Sequence, residues 1–142
     1  YEISNFGKSN QFAIHNKNYW QNIPYLGIGP SAHSYDGKER GFNIANNTKY
    51  ISKLKTESIP FTVEPMTAED LVNEYILTSL RTIWGTDMDF LKNRLGEGYL
   101  TDKANLLSEL QNEQLLEIKD NHFLLTKKGK LLADSIAASL FI

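Results

Sequence analysis

A chain of 142 residues with 41% hydrophobic and 23% charged residues has the size and balance of one globular domain, or of one small domain with an appendage. Cysteine is absent, which excludes disulfides, thiolate zinc sites and a Cys-ligated iron–sulfur cluster within these residues and suits a cytoplasmic setting. The net charge of −2 is uneven: seven Lys/Arg against four Asp/Glu give +3 in residues 1–60, and eight against thirteen give −5 in residues 61–142, an acidic balance that argues against a nucleic-acid partner.

Residues 1–6, Tyr-Glu-Ile-Ser-Asn-Phe, favour an extended segment. A strand opening at Tyr1 with no turn or cap before it suggests a piece of a longer protein. Gly7 to Asn18 is rich in Asn, Lys and Ser and reads as a loop, with a short strand or helical turn at Gln11–Ile14. The segment Tyr25-Leu26-Gly27-Ile28-Gly29 is apolar and punctuated by glycine, as where another backbone or a ligand comes close. Asp36-Gly37-Lys38, between Ala32–Tyr35 and Gly41–Ala45, is the turn of a hairpin.

From Asn46 the pattern turns helical. Asn46 to Thr48 supplies an N-cap, and Tyr50, Ile51 and Leu54 share one face of a short helix. Ser58 to Pro65, with two prolines, reads as an extended linker. Thr67 then caps the clearest helix, whose stripe is Val72, Tyr75, Ile76, Ser79, Leu80 and Ile83, with Gly85 as its stop. A second helix follows the Thr86-Asp87 cap and ends at Gly96. A third spans Leu100–Asn112. Two strands, Leu115–Ile118 and Phe123–Leu125, precede a last helix capped by Thr126, with Leu131, Leu132, Ser135, Ile136, Ser139 and Leu140 on its inner face. The order resembles a winged helix. Its recognition helix would carry Asp102, Glu109 and the adjacent Glu113 against one Lys103, which phosphate would repel.

Chemistry-bearing residues concentrate in the first third. In His15-Asn16-Lys17-Asn18-Tyr19-Trp20 a neutral imidazole is a candidate iron ligand, with Tyr19 and Trp20 as flat apolar surface for a porphyrin. The same residues also suit a histidine bonded to backbone beside two aromatic anchors. Gly27, Gly29 and His33 sit where a ligand approaches a strand end, or where two strands pack closely. No carboxylate pair, His–Ser–Asp set or zinc spacing marks a catalytic centre.

Taken together, YEISNFG, HNKNYW and YLGIGPSAHS resemble the distal end of the radical SAM module in the oxygen-independent coproporphyrinogen III oxidase-like family. The HNxxYW element is similar to the family's haem-chaperone branch. Leu80-Arg81-Thr82 with Gly85, and Leu125-Thr126 with Gly129, are similar to the family's C-terminal domain.

The resemblance implies an α+β fold. Residues 1–45 would be terminal strands and loops of a truncated radical SAM barrel, and residues 46–142 a mainly helical, winged-helix-like domain. It implies a parent protein with a [4Fe–4S] cluster and S-adenosylmethionine held on a CxxxCxxC loop that lies outside this sequence. His15 would contact haem, surrounded by Asn16, Tyr19 and Trp20, while Gly27, Gly29 and His33 would lie near the S-adenosylmethionine pocket. The fragment itself would be non-catalytic, and its partners would be the missing barrel, haem or porphyrin, and a haem-acceptor protein. The family's true oxidases, which serve porphyrin biosynthesis, and a winged-helix nucleic-acid module are the alternatives. Exposed strands in residues 1–45 could also pair with a second copy.

Overall fold

The computed structural model describes residues 1–142. Residues 1–5 do not form a strand. They fold into a tight turn in which Asn5 and Glu2 exchange backbone hydrogen bonds, and Glu2 pairs with Thr82 as an isolated bridge. The Glu2 carboxylate drives this departure from the expected extended segment, because it accepts from the Ser4 amide at 2.9 Å and the Ser4 hydroxyl at 2.6 Å.

The next segment also departs from expectation. Helix α1 covers Ile14–Trp20, so HNKNYW is helical and not a loop. Its Asn and Lys content reads as loop, yet spacing by four puts Asn16 and Trp20 on an inner face, and His15 and Tyr19 on another. Strands β1 (His33–Tyr35) and β2 (Arg40–Asn43) form the expected hairpin. After helix α2 (Asn47–Lys55), capped by the Asn46 side chain, the chain returns as β3 (Phe61–Glu64). The stretch expected to be a linker thus pairs antiparallel with β2, Gly41 opposite Val63, and completes a three-stranded sheet ordered β1-β2-β3. That sheet has strands on both sides of the 45/46 boundary.

Helix α3 (Ala68–Leu80) starts in a capping box: Thr67 accepts from the Asp70 amide, and Asp70 accepts from the Thr67 amide. It buries Val72, Ile76 and Leu80, but the chain leaves the helix after Leu80, so Ile83 faces solvent. A two-residue strand β4 (Thr86–Asp87) follows, where only a helix cap was expected. Helix α4 (Met88–Leu95) ends at Gly96, whose φ of 82° suits a residue without Cβ. The predicted third helix is two helices, α5 (Gly98–Asp102) and α6 (Ala104–Asn112), divided at Lys103. Strands β5 (Leu116–Lys119) and β6 (His122–Leu125) form the hairpin, and β4 joins it to give the order β4-β6-β5.

Thr126 opens a 3₁₀ turn, Gly129–Leu132, and not the last helix itself. Helix α7 (Ala133–Leu140) therefore turns Ala133, Ile136, Ala137 and Leu140 inward. Leu131, expected inside, is 85% exposed. The second half thus runs as helix, short strand, three helices, hairpin, 3₁₀ turn and final helix around one small sheet, in keeping with an α+β fold.

The two halves are packed very differently. All fifteen residues of the hydrophobic core lie between Val72 and Leu140. In residues 1–65 the buried positions are Glu2, Gly41, Asn43 and Pro60, none of them a large apolar side chain. The driving force for folding is thus concentrated in the second half, and the first half is organised mainly by strand pairing and by contacts onto α3. No helix is long and apolar enough to cross a membrane.

Candidate functional site at helix α1

Helix α1 has seven residues and no side-chain N-cap, too short to be stable alone. Tertiary contacts hold its inner face. Asn16 donates to the Tyr1 hydroxyl at 2.9 Å, and Trp20 lies under the Arg81 guanidinium, 5.6 Å from the ring centroid. Just past the helix, Asn22 donates to Thr78 Oγ1 on α3 at 3.3 Å.

The other face carries His15 and Tyr19, one turn apart and both exposed. Each meets the ring of Tyr25: His15 edge-on with centroids 6.4 Å apart, and Tyr19 tilted at 6.0 Å. Tyr19 also packs edge-to-face on Trp20 at 5.3 Å. Tyr25 is anchored by two backbone hydrogen bonds to Tyr35 of β1, 2.8 and 2.9 Å. Burial raises the Tyr25 and Tyr35 phenols above the usual tyrosine range despite the nearby Arg40 cation. Arg40 pairs with Glu74 of α3 and sits 5.9 Å over the Tyr35 ring. The outcome is an exposed imidazole on an aromatic ledge built from α1, the Tyr25 segment and β1.

Behind this ledge, Tyr19, Trp20, Arg40, Glu74, Leu77 and Arg81 help line a cleft of about 780 Å³ between α1 and α3. Neither arginine stood out in the sequence as a site residue. Arg40 reads as the end of a hairpin turn, and Arg81 lies far from α1 along the chain.

His33 lies on β1, and Gly27 and Gly29 lie in the segment before it, outside the strands. A Cβ on Gly27 would come within 2.0 Å of the His33 carbonyl oxygen, so its close neighbour here is the β1 backbone. The Gly27 amide donates to Ser34 Oγ at 2.9 Å. Gly29 has φ of 105°, a conformation that favours glycine, and its carbonyl accepts from Asn43 Nδ2 at 2.9 Å. His33 is exposed on β1 with its ring 5.7 Å from that of Phe42. It therefore does not join His15 and Tyr19 around Tyr25.

No group of three or more His, Cys, Asp or Glu residues is arranged to hold a metal ion. With no cysteine present, these residues do not fit a thiolate-held cluster. The ledge presents one exposed imidazole beside flat aromatic ring surface.

The class of protein is therefore α+β: a mainly helical second half around a small sheet, joined to a three-stranded sheet unit that carries the aromatic ledge. Residues 66–132 match the family described as the HemN C-terminal domain. The chain is similar to the haem chaperone HemW of Bacillus subtilis, 29% identical over 137 residues that make up 96% of this chain and 36% of that protein. HemW of Mycobacterium tuberculosis is 29% identical over 99% of this chain and 34% of the relative. The chain thus spans about a third of the length of these curated relatives. Among solved structures, coproporphyrinogen III oxidase (HemN) from Escherichia coli, described as a radical SAM enzyme, superposes with a TM-score of 0.64. It covers 84% of this chain and 28% of the enzyme at 21% identity, a likeness of fold. Residues 66–132 thus belong to the HemN C-terminal domain family, within a chain that is similar over nearly its whole length to a part of the haem chaperone HemW.

Proposed function

We propose that this chain is the C-terminal part of a HemW-like protein that binds haem in the cytoplasm and passes it to acceptor proteins, with His15 as an iron ligand. The observation that carries the reading is the exposed imidazole of His15 beside Tyr25, one helical turn from Tyr19. Neutral imidazole is a good axial donor to haem iron, and aromatic rings offer a porphyrin flat apolar contact. Asn16 and Trp20 act from the inner face by holding the helix that presents His15.

The parent's [4Fe–4S] cluster and S-adenosylmethionine would be held by residues outside this chain. Gly27, Gly29 and His33 are proposed to stand near that pocket. Leu26 and Ile28, 79% and 85% exposed, suit a segment that is covered by the rest of the barrel. The acidic second half supports a role without nucleic acid.

Haem titrated into the full-length protein should give a Soret shift, and His15→Ala should weaken binding and change the bound spectrum. Equal affinity and an identical spectrum in the variant would refute His15 as the ligand. Supplying cluster, S-adenosylmethionine and coproporphyrinogen III separates the chaperone from an oxidase, since release of the vinyl product marks the oxidase.

A further inference from the structure

Arg81 stands at the end of α3, in the Leu-Arg-Thr segment that the haem reading leaves without a role. It makes three side-chain contacts with three separate parts of the chain. Nε donates to the buried Glu2 carboxylate at 3.0 Å, one terminal nitrogen donates to Asp134 of α7 at 2.5 Å, and the guanidinium plane lies over Trp20 of α1. Backbone bonds reinforce the junction: the Ile3 amide donates to the Arg81 carbonyl at 3.0 Å, and the Ile83 amide donates to the Tyr1 carbonyl at 3.0 Å. Tyr1 in turn accepts from Asn16 of α1.

Trp20 is held through its ring, because its indole N–H is buried and makes no hydrogen bond to the protein. Removing the cation above that ring would therefore remove a principal restraint on the C-terminal end of α1. A seven-residue helix has little cooperativity of its own to make up the loss.

We propose that Arg81 is a positioning residue for the haem site. It fixes α1 through Trp20, and so the direction of His15, while tying α1 to the turn at Glu2 and to α7. Arginine is needed for the geometry: a planar fork can engage Glu2, Asp134 and an aromatic face at once, whereas a lysine ammonium is a single point charge. The inference rests on the haem reading for its function, but its structural half stands on α1 alone.

The test uses the full-length protein and its Arg81→Met and Arg81→Lys variants. Amide hydrogen exchange in the haem-free state comes first. Arg81→Met should speed exchange at residues 17–21 by about tenfold, the size expected for a lost cation–π contact with partial desolvation. Amides of the core around Ile76 and Leu80 should keep their protection. Haem titration follows. Arg81→Met should raise the Kd about tenfold yet reach the wild-type Soret maximum at saturation, because His15 remains the ligand, and Arg81→Lys should fall between. Unchanged exchange at 17–21 overturns the proposal whether or not haem binds. A uniform loss of protection across α3 and α7 also overturns it, since Arg81 would then be a general stabiliser. Wild-type protein that gives no Soret shift refutes the haem reading instead, and the exchange result still decides the role of Arg81 in holding α1.

Discussion

Tyr99 offers a sharp test of how the C-terminal domain is closed. Its ring is buried, and its hydroxyl donates to the Leu140 carbonyl at 2.5 Å, at the end of α7. Lys103 Nζ donates to the neighbouring carbonyls of Ser139 and Phe141, 2.8 and 3.0 Å away, so two side chains finish that helix. Tyr99→Phe keeps the ring and leaves the Leu140 carbonyl without this donor, a change of about 1–2 kcal/mol. Burial pushes the Tyr99 phenol up to about 12, whereas an unfolded tyrosine titrates near 10. Between these values the unfolded chain loses the proton first, so the folded state holds more protons and stability falls as pH rises. The slope is about 1.4 kcal/mol per pH unit, on the order of a few kcal/mol across the window. Below the unfolded value this contribution is fully present.

Urea unfolding of wild type and Tyr99→Phe, followed by far-UV circular dichroism from pH 8 to 11.5, isolates the effect. Other tyrosines and lysines titrate in both proteins and cancel in the difference. The wild-type advantage should hold steady to about pH 10 and then shrink by about 1.4 kcal/mol per unit. A gap that stays constant to pH 11.5 would refute the account of Tyr99 as a buried, hydroxyl-donating phenol.

Glu2 makes the opposite prediction in acid. Desolvation raises its carboxyl, but hydrogen bonds from Ser4, Asn5 and Arg81 outweigh that and hold it below the usual range. Its contribution is therefore complete above about pH 4.5 and lost as pH falls through the lowered folded value. Glu2→Gln should speed exchange of the Ile3 and Ile83 amides at pH 7, and the wild-type advantage in urea unfolding should shrink as pH falls below about 4.5. Gly129→Ala should cost about 3 kcal/mol or more, because a Cβ there lies 1.9 Å from the Leu115 carbonyl oxygen; a urea midpoint within error of wild type would contradict it. Thr67→Ala should cost about 1 kcal/mol by removing the α3 capping box, measured the same way.

Legibility from sequence followed the length scale of the interactions. Helix α3 was readable because its cap, its acidic first turn and its inner stripe lie within the fourteen consecutive residues from Thr67 to Leu80. Strand β4 was not, since two residues show no alternation and Thr86 signals a cap equally well. Ile83 and Leu131 were misplaced for one reason: helical spacing was carried past the point where the backbone leaves the α conformation, after Leu80 in one case and in a 3₁₀ turn in the other. At the candidate site, His15 was singled out through the resemblance of HNKNYW, because a lone histidine in a polar stretch has no local signature. Its aromatic neighbour Tyr25 sits ten residues on, and Arg81 reaches Trp20 across sixty-one positions and Glu2 across seventy-nine. Nothing in a local window announces such contacts.

That separation explains why a candidate ligand can sit in a half without an apolar core of its own. The sheet unit buries no large hydrophobic side chain, so its own packing gives α1 little to rest on. The restraints on α1 come instead from Tyr1, which is hydrogen-bonded to Ile83, from Arg81, and from Thr78, two of them within α3 or at its end. Helix α3 in turn is fixed by the apolar core through Ile76 and Leu80, which are 0% and 1% exposed. Rigidity is therefore generated in the second half and exported to the first through a few polar and cation–π contacts. Residues 1–65 and 66–142 made as separate chains should therefore behave differently in amide hydrogen exchange, with fast exchange at residues 14–20 in the first and protection retained around Ile76 and Leu80 in the second; protected amides at 14–20 in the isolated first piece would contradict this.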